Sequence, residues 1–316
     1  MTLYSFGKYL KQTFGKPVRK ISIDAGFTCP NRDGTVAKRG CTFCNNCSFS
    51  EGTAYRFQSV REQVEGGIDR VRQSRHNTDA FLAYFQSFSN TYAPVAVLQS
   101  LYEEALSVEG VVGLDIATRP DCVPDEVLDL LQGYARKTHL WLELGLESSH
   151  DGTLNRINRG HTWAQFEDAV RRLSGRGINL CVHLILGLPG ETPTMMRETA
   201  QRLGELIMQV DVPTFGIKLH HLHIVKGTVL AWEYNAGRVE TLTPEAYVSL
   251  VCDTLERLPE NTVIQRFMGD TLGDTLIAPH WEVTKSQVLQ SIEREFQSRN
   301  SHPGALVGRH EEIVEN

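Results

Sequence analysis

The chain has no apolar run long enough to cross a bilayer. Its longest, around Leu180 to Pro189, is about ten residues and contains His183, against the roughly 20 residues a spanning helix needs. The N-terminus, MTLYSFGKYLKQTFGKPVRK, also lacks the apolar core of a secretory signal, because lysines interrupt it. A mature cytoplasmic protein is expected. There is no internal repeat and no low-complexity tract. Positive charge is not in excess: 32 Lys and Arg face 38 Asp and Glu, a net of −6, which excludes a surface evenly coated in positive potential. An even cysteine count is missing too. Seven cysteines without a secretion signal argue against a disulfide framework.

What is present is an ordinary globular composition. With 316 residues and 41% hydrophobic side chains, the chain can bury a substantial core in one large domain or two small ones. Charge is uneven along it. The first 23 residues carry Lys8, Lys11, Lys16, Arg19 and Lys20 and no carboxylate, a patch that can contact phosphate or simply form a solvated face.

Strand-like and helix-like runs take turns. Val18 to Asp24, Phe81 to Phe85, Val111 to Ala117, His139 to Leu146, Ile178 to Leu186 and Thr214 to His223 read as strands. Val95 to Leu106, Pro124 to Tyr134, Trp163 to Leu173 and Thr194 to Met208 read as helices. Strands with little alternation, each followed by a helix, imply parallel pairing and burial on both faces. The α/β pattern of six units predicts a partial (β/α)6 TIM-type barrel over residues 1–235. Residues 236–316 read as a small C-terminal α/β extension: helices at Thr243 to Leu258 and Lys285 to Phe296, a short strand at Val263 to Phe267, and a loose polar tail from Ser301. Polar motifs follow the strands: TRPD at Thr118 to Asp121, ESSHD at Glu147 to Asp151 and GLPGET at Gly187 to Thr192. Barrels of this kind act at the carboxyl ends of their strands. Thr192 with Pro193 also suits a helix N-terminus.

Four of the cysteines lie close together in CPNRDGTVAKRGCTFCNNC, as Cys29, Cys41, Cys44 and Cys47, whereas Cys122, Cys181 and Cys252 are scattered and suit a buried core. Two-residue gaps let thiolates share one metal, and Gly34 and Gly40 let the loop fold back on Cys29. All four cysteines would make a closed structural zinc site. Cys29, Cys41 and Cys44 alone would hold an iron-sulfur cubane with one iron open to chemistry. A loop that follows the first strand of a barrel favours the open cluster, and Phe43 would cover it with an apolar ring.

These features resemble the radical S-adenosylmethionine (SAM) superfamily. CPNRDGT, GCTFC, YFQSFSNTYAP, TRPDC, LELGLES, INRGH, GLPGE and GIKLHHLHIVKGT resemble, more narrowly, a bacterial family called YhcC-like or YtqA-like, related to the catalytic subunit of Elongator. The likeness runs from about Lys16 to Pro279. The first cysteine gap is longer than the superfamily's usual three residues, and Cys47 is not required by the pattern.

The resemblance implies a barrel of the radical SAM type, a 4Fe-4S cluster on Cys29, Cys41 and Cys44, and S-adenosyl-L-methionine on the open iron. It implies reductive cleavage of SAM to a 5′-deoxyadenosyl radical that abstracts hydrogen from substrate. Phe43, Gln86, Ser87, Glu147, Arg159 and His183 are the implied cofactor contacts, with Arg159 facing the methionine carboxylate and Glu147 and His183 near the ribose. His220, His223 and Lys226 are implied at the substrate mouth. The kinship with Elongator, with the basic N-terminal segment, points to tRNA as substrate partner and to a wobble-uridine side chain, and an electron donor such as flavodoxin or ferredoxin is implied. A small-molecule radical SAM enzyme and a non-catalytic zinc-binding module are the alternatives.

Overall fold

The computed structural model describes residues 3–74 and 78–308. In chain order the elements are α1 (Phe6–Phe14), β1 (Arg19–Ile23), α2 (Pro30–Asp33), α3 (Asn46–Phe49), α4 (Val60–Gln73), β2 (Phe81–Phe85) and α5 (Val95–Leu106). Then come β3 (Val111–Thr118), α6 (Asp125–Ala135), β4 (His139–Glu147), α7 (Asp151–Arg156), α8 (Trp163–Leu173), β5 (Asn179–Leu186) and α9 (Pro193–Ile207). The chain continues through β6 (Phe215–His221), β7 (Ile224–Val225), α10 (Val229–Asn235), α11 (Pro244–Glu256), β8 (Val263–Arg266), β9 (Leu276–Ala278) and α12 (Lys285–Ser298). No described helix is long and apolar enough to cross a membrane.

Seven strands pair in parallel in the order β1-β2-β3-β4-β5-β6-β8, and β7 pairs antiparallel with β9. The six expected strands are all present. The seventh, β8, comes from the residues read as a C-terminal extension and lies on the β6 edge. The sheet curls strongly. Seven strands laid flat would set its edges about 29 Å apart at some 4.8 Å per strand, yet Lys20 Nζ on β1 lies 2.7 Å from Gln265 Oε1 on β8. The result is a half-barrel whose two edge strands approach each other around an enclosed interior.

Helices cover the outside, and their starts are written locally. Thr192 accepts from Met195 N with Pro193 in the first turn, and Thr243 accepts from Ala246 N ahead of Pro244. Ser59 and Glu62 form a reciprocal capping box at the start of α4. Cys122, Cys181 and Cys252 are buried, as expected of small apolar residues.

Two sequence expectations need correction. Lys8, Lys11, Lys16 and Arg19 of the basic N-terminal stretch are exposed, but Lys20 departs from that face. Ser5 caps α1, whose aromatic side chains plug the amino end of the barrel: Phe6 and Tyr9 pack edge-on to the fully buried Trp141, at 5.7 and 5.4 Å between ring centroids. Such pairs add about 0.5–1.5 kcal/mol each beyond the area they bury. Lys20 points into the barrel, with its ammonium 4.6 Å from the Phe6 ring centre, and Lys16 pairs with Asp79. The second correction concerns the tail. Within Ser301–Gly308 the chain turns back on α11, with Gly304 N and Leu306 N donating to the Leu255 and Glu256 carbonyls. Residues 309–316 lie outside the described residues.

Candidate functional site

The cavity at the carboxyl ends of the strands encloses about 230 Å³ and is lined by Cys29, Cys41 and Cys44 but not Cys47. Backbone bonds bring the three together. Val36 N donates to Pro30 O and Gly40 N to Asn31 O, which folds the loop back on the short turn that starts at Cys29. Gly40 adopts φ +78°, and a Cβ there would sit 2.9 Å from Arg32 Nε, so glycine is needed where the loop closes. Thr42 N donates to Ile157 O and Leu230 N to Thr42 O, which ties the returning segment to the barrel. Cys47 lies on α3 and is exposed. Cys44 lies partly exposed along the cavity wall; dry surroundings and then the neighbouring Cys41 push its thiol up to about 12, Cys29 adding to the effect and Arg32 and Arg159 opposing it.

Cations and N–H donors gather at Cys41. Arg159 Nη1 lies 3.7 Å from its sulfur and Asn31 Nδ2 3.5 Å. Arg159 is 8% exposed; its other nitrogens donate to His161 Nε2 and Gly145 O, and Nη2 pairs with Glu147 Oε1 at 3.3 Å. Gly145 permits this approach, since a Cβ would be 2.4 Å from Arg159 Nη2. Burial, then the charges of Arg159 and Arg119, lower His161 to about 2, so the ring is neutral and accepts from Arg159. Glu147 ends β4 with φ +70°, a conformation that costs a non-glycine residue of order 1–3 kcal/mol and is retained mainly where the surroundings impose it. Phe43 also lines the cavity, and Arg32 stacks over Phe88 at 5.7 Å.

Below this level lies a charged floor that the sequence reading did not single out. Glu143 on β4 is fully buried; its Oε1 accepts from Lys20 at 2.9 Å, and its Oε2 bonds His183 Nε2 at 2.8 Å, Tyr84 OH at 3.1 Å and Lys218 Nζ. Lys218 Nζ also donates to Tyr84 OH at 2.9 Å. Burial alone would raise Glu143, but Lys20, Lys218 and His183 outweigh it and hold the carboxyl well below its ordinary value. Asp115 pairs with Lys20 through Oδ2; burial and then Glu143 raise it to about 7, against the pull of the two lysines. Glu143, Cys181 and His183 are close enough to share a metal ion, but the lysines already occupy the carboxylate. A visible clue was a charge in the middle of each buried strand: Asp115 in VVGLDIAT, Glu143 in HLWLELGLE and Lys218 in FGIKLHH. Charges are almost never buried unless paired.

The other expected contacts divide. Gln86, Glu147, Arg159, His183, His220 and His223 all line the cavity. The Ser87 side chain instead turns away, bonding Ser50 Oγ at 2.9 Å beneath the wall. Lys226 is 55% exposed, paired with Asp274 at 2.9 Å, and outside the cavity. His221 also lines it: its Nε2 lies 2.7 Å from His223 Nε2, and its ring stacks on Trp281 at 4.0 Å. The segment after β8 completes the wall. A Cβ on Gly269 would be 2.9 Å from His220 Nδ1, and Leu272 N donates to Ser48 O in the cysteine loop.

Three thiols converging beside a guanidinium and a carboxamide donor suit a metal cluster. Ligation removes the thiol protons, and the nearby N–H groups stabilise the resulting sulfur charge. One wall of the cavity thus offers sulfur ligands, while the floor and far wall offer charge and hydrogen bonds to a second molecule.

Comparison with known proteins agrees with this geometry. A family profile described as "Radical SAM superfamily" matches residues 34–203, and one described as "Radical_SAM C-terminal domain" matches residues 214–298. The chain is 40% identical over 309 residues to "Uncharacterized protein YtqA" of Bacillus subtilis (strain 168), covering 98% of this chain and 94% of that protein. It is 39% identical over 305 residues to "Protein YhcC" of Escherichia coli (strain K12), covering 96% and 95%. Among solved structures, the archaeal Methanocaldococcus infernus Elp3 with N-terminus deletion has a TM-score of 0.67 at 16% identity, over 90% of this chain and 64% of that one. At that identity the likeness is one of fold.

Proposed function

Because the chain belongs to the radical SAM superfamily, we propose that it modifies the side chain of a wobble uridine in tRNA. It is a radical SAM enzyme, and its cofactors are a 4Fe-4S cluster and S-adenosyl-L-methionine. Bound together, these supply a 5′-deoxyadenosyl radical that takes a hydrogen atom from substrate. The observation that carries the site assignment is the convergence of Cys29, Cys41 and Cys44, with Arg159 at Cys41, in one cavity at the carboxyl end of the half-barrel.

In this reading the three thiolates hold the cluster and Cys47 takes no part. Arg159 donates to the Cys41 sulfur and pairs with Glu147, so its guanidinium would steady the sulfur charge and hold Glu147 at the cavity. Phe43 and Phe88 keep water from the reacting atoms. Kinship with the Elongator catalytic subunit supports tRNA as the substrate. A low-potential donor such as flavodoxin or ferredoxin, and a cytoplasmic location, go with it. The inward placement of Lys20 and the pairing of Lys16 favour a second reading, a small-molecule substrate, since the basic segment lies at the barrel's amino end, away from the cavity mouth.

The test has two stages. Anaerobically reconstituted protein should carry about four irons with matching sulfide and release 5′-deoxyadenosine when reduced with SAM. tRNA nucleosides from a deletion strain should then show an altered wobble-uridine profile by mass spectrometry. An unchanged profile alongside normal 5′-deoxyadenosine release refutes the tRNA reading in favour of a small molecule.

A further inference from the structure

We propose that Arg266, with His220, forms an oxyanion-binding subsite on the cavity wall that receives a carboxylate or phosphate group of the substrate. Arg266 ends β8, in register with Lys218 on β6, and is half-buried in the cavity wall. It makes no ion pair or hydrogen bond among the described residues. The other buried cations facing this cavity each have an anion: Lys218 has Glu143, Arg119 has Asp121 and Arg159 has Glu147. Arg32 stands exposed at the mouth, stacked on Phe88. Asp270, which lines the same cavity, is paired with Lys285.

A half-desolvated guanidinium without a counter-charge is costly unless something supplies one. His220 is the second donor. Neither of its ring nitrogens has a hydrogen-bond partner among the described residues, and it lines the same cavity. Burial first, and then Arg266, His183 and Lys218, keep its imidazole neutral, with one N–H to give. Gly269 packs against its Nδ1 edge so closely that no side chain fits between them, which fixes the ring. A planar fork beside a fixed N–H suits a planar carboxylate or one face of a phosphate.

The subsite deepens the proposed function and rests on that reading only in treating this cavity as the place where substrate binds. Calorimetric titration of the anaerobically reconstituted holoenzyme with SAM, using malonate and inorganic phosphate as probes, tests it. Arg266→Gln should weaken the better-bound probe at least about tenfold, the loss of one charge-assisted bond. Arg266→Lys should recover most of that loss, and SAM affinity should not change in either variant. Preference for malonate assigns the subsite to a carboxylate; preference for phosphate assigns it to a phosphate. No probe binding to the wild type, equal binding to Arg266→Gln, or a fall in SAM affinity that tracks the anion loss overturns the proposal. Titration with 5-carboxymethylaminomethyluridine and 5-aminomethyluridine separates the two readings. If neither binds while malonate behaves as expected, the wobble-uridine reading fails and the subsite stands.

Discussion

Replacing Glu143 with glutamine tests the charged floor directly. The carboxylate is fully buried and meets two lysines, a tyrosine and a histidine. Its neutral isostere keeps the shape but leaves Lys20 and Lys218 sharing only Asp115. Breaking a buried ion pair from one side costs about 3–5 kcal/mol. At about 2.1 cal/mol/K of unfolding entropy per residue, the 316-residue chain should then melt about 5–8 °C lower.

The pH dependence has a definite sign. Stability from Glu143 is present above the ordinary carboxylate range and is lost only as pH falls through it. Asp115, raised to about 7, works the other way: the folded state keeps a proton that the unfolded chain releases, so stability falls as pH rises from about 4 to about 7. Removing the Glu143 charge lowers Asp115, which then ionises and takes over the lysines. The deficit of Glu143→Gln should therefore be larger at about pH 5.5 than at about pH 8. Anaerobic melting followed by circular dichroism measures both. A deficit under about 2 °C, or one that grows with pH, refutes the ion network as described.

Replacing Cys29, Cys41 or Cys44 with serine should abolish iron and sulfide incorporation on reconstitution, whereas Cys47→Ser should retain both; iron and sulfide analysis of the purified variants distinguishes the open cluster from a four-cysteine zinc site. Gly204→Ala places a Cβ 2.0 Å from Arg257 O, between α9 and the end of α11, and should cost about 1–3 kcal/mol, read as a lower urea midpoint. Gly133→Ala, with nothing within 4 Å of the new atom on α6, should raise it by about 0.5–1 kcal/mol. Because Lys226 and Asp274 pair at the surface, 55% and 95% exposed, Lys226→Ala should change stability by under about 0.5 kcal/mol and leave 5′-deoxyadenosine release unaltered.

The strands were legible because a parallel sheet buried on both faces writes itself as short apolar runs, and FLAYF and HLWLELGL became β2 and β4 with small changes at their ends. The cysteine loop was legible from its spacing, and the structure draws Cys29, Cys41 and Cys44 to the cavity without Cys47. What spacing cannot supply is direction. Lys20 looked like one more surface lysine, because nothing in VRKISID says that the even face of β1 turns toward Glu143 across the barrel. Gln86 and Ser87 are neighbours in the turn just past β2, yet Gln86 lines the cavity while Ser87 bonds Ser50. The helix α4 was missed although Ser59 and Glu62 are spaced as a capping box, since Gly66 and Gly67 dilute its pattern; Gly67 in fact lets the helix sit on Ile21, where a Cβ would come within 2.3 Å. The seventh strand was read as part of an appendage because only three-dimensional pairing shows that VIQR extends the barrel sheet.

The aromatic stopper formed by Phe6 and Tyr9 against Trp141 has a kinetic corollary. With its base packed by these rings, the half-barrel receives its molecules at the carboxyl ends of the strands, where the cavity lies. Product-inhibition patterns of an ordered sequence, with one molecule seated before the other, are the expected outcome.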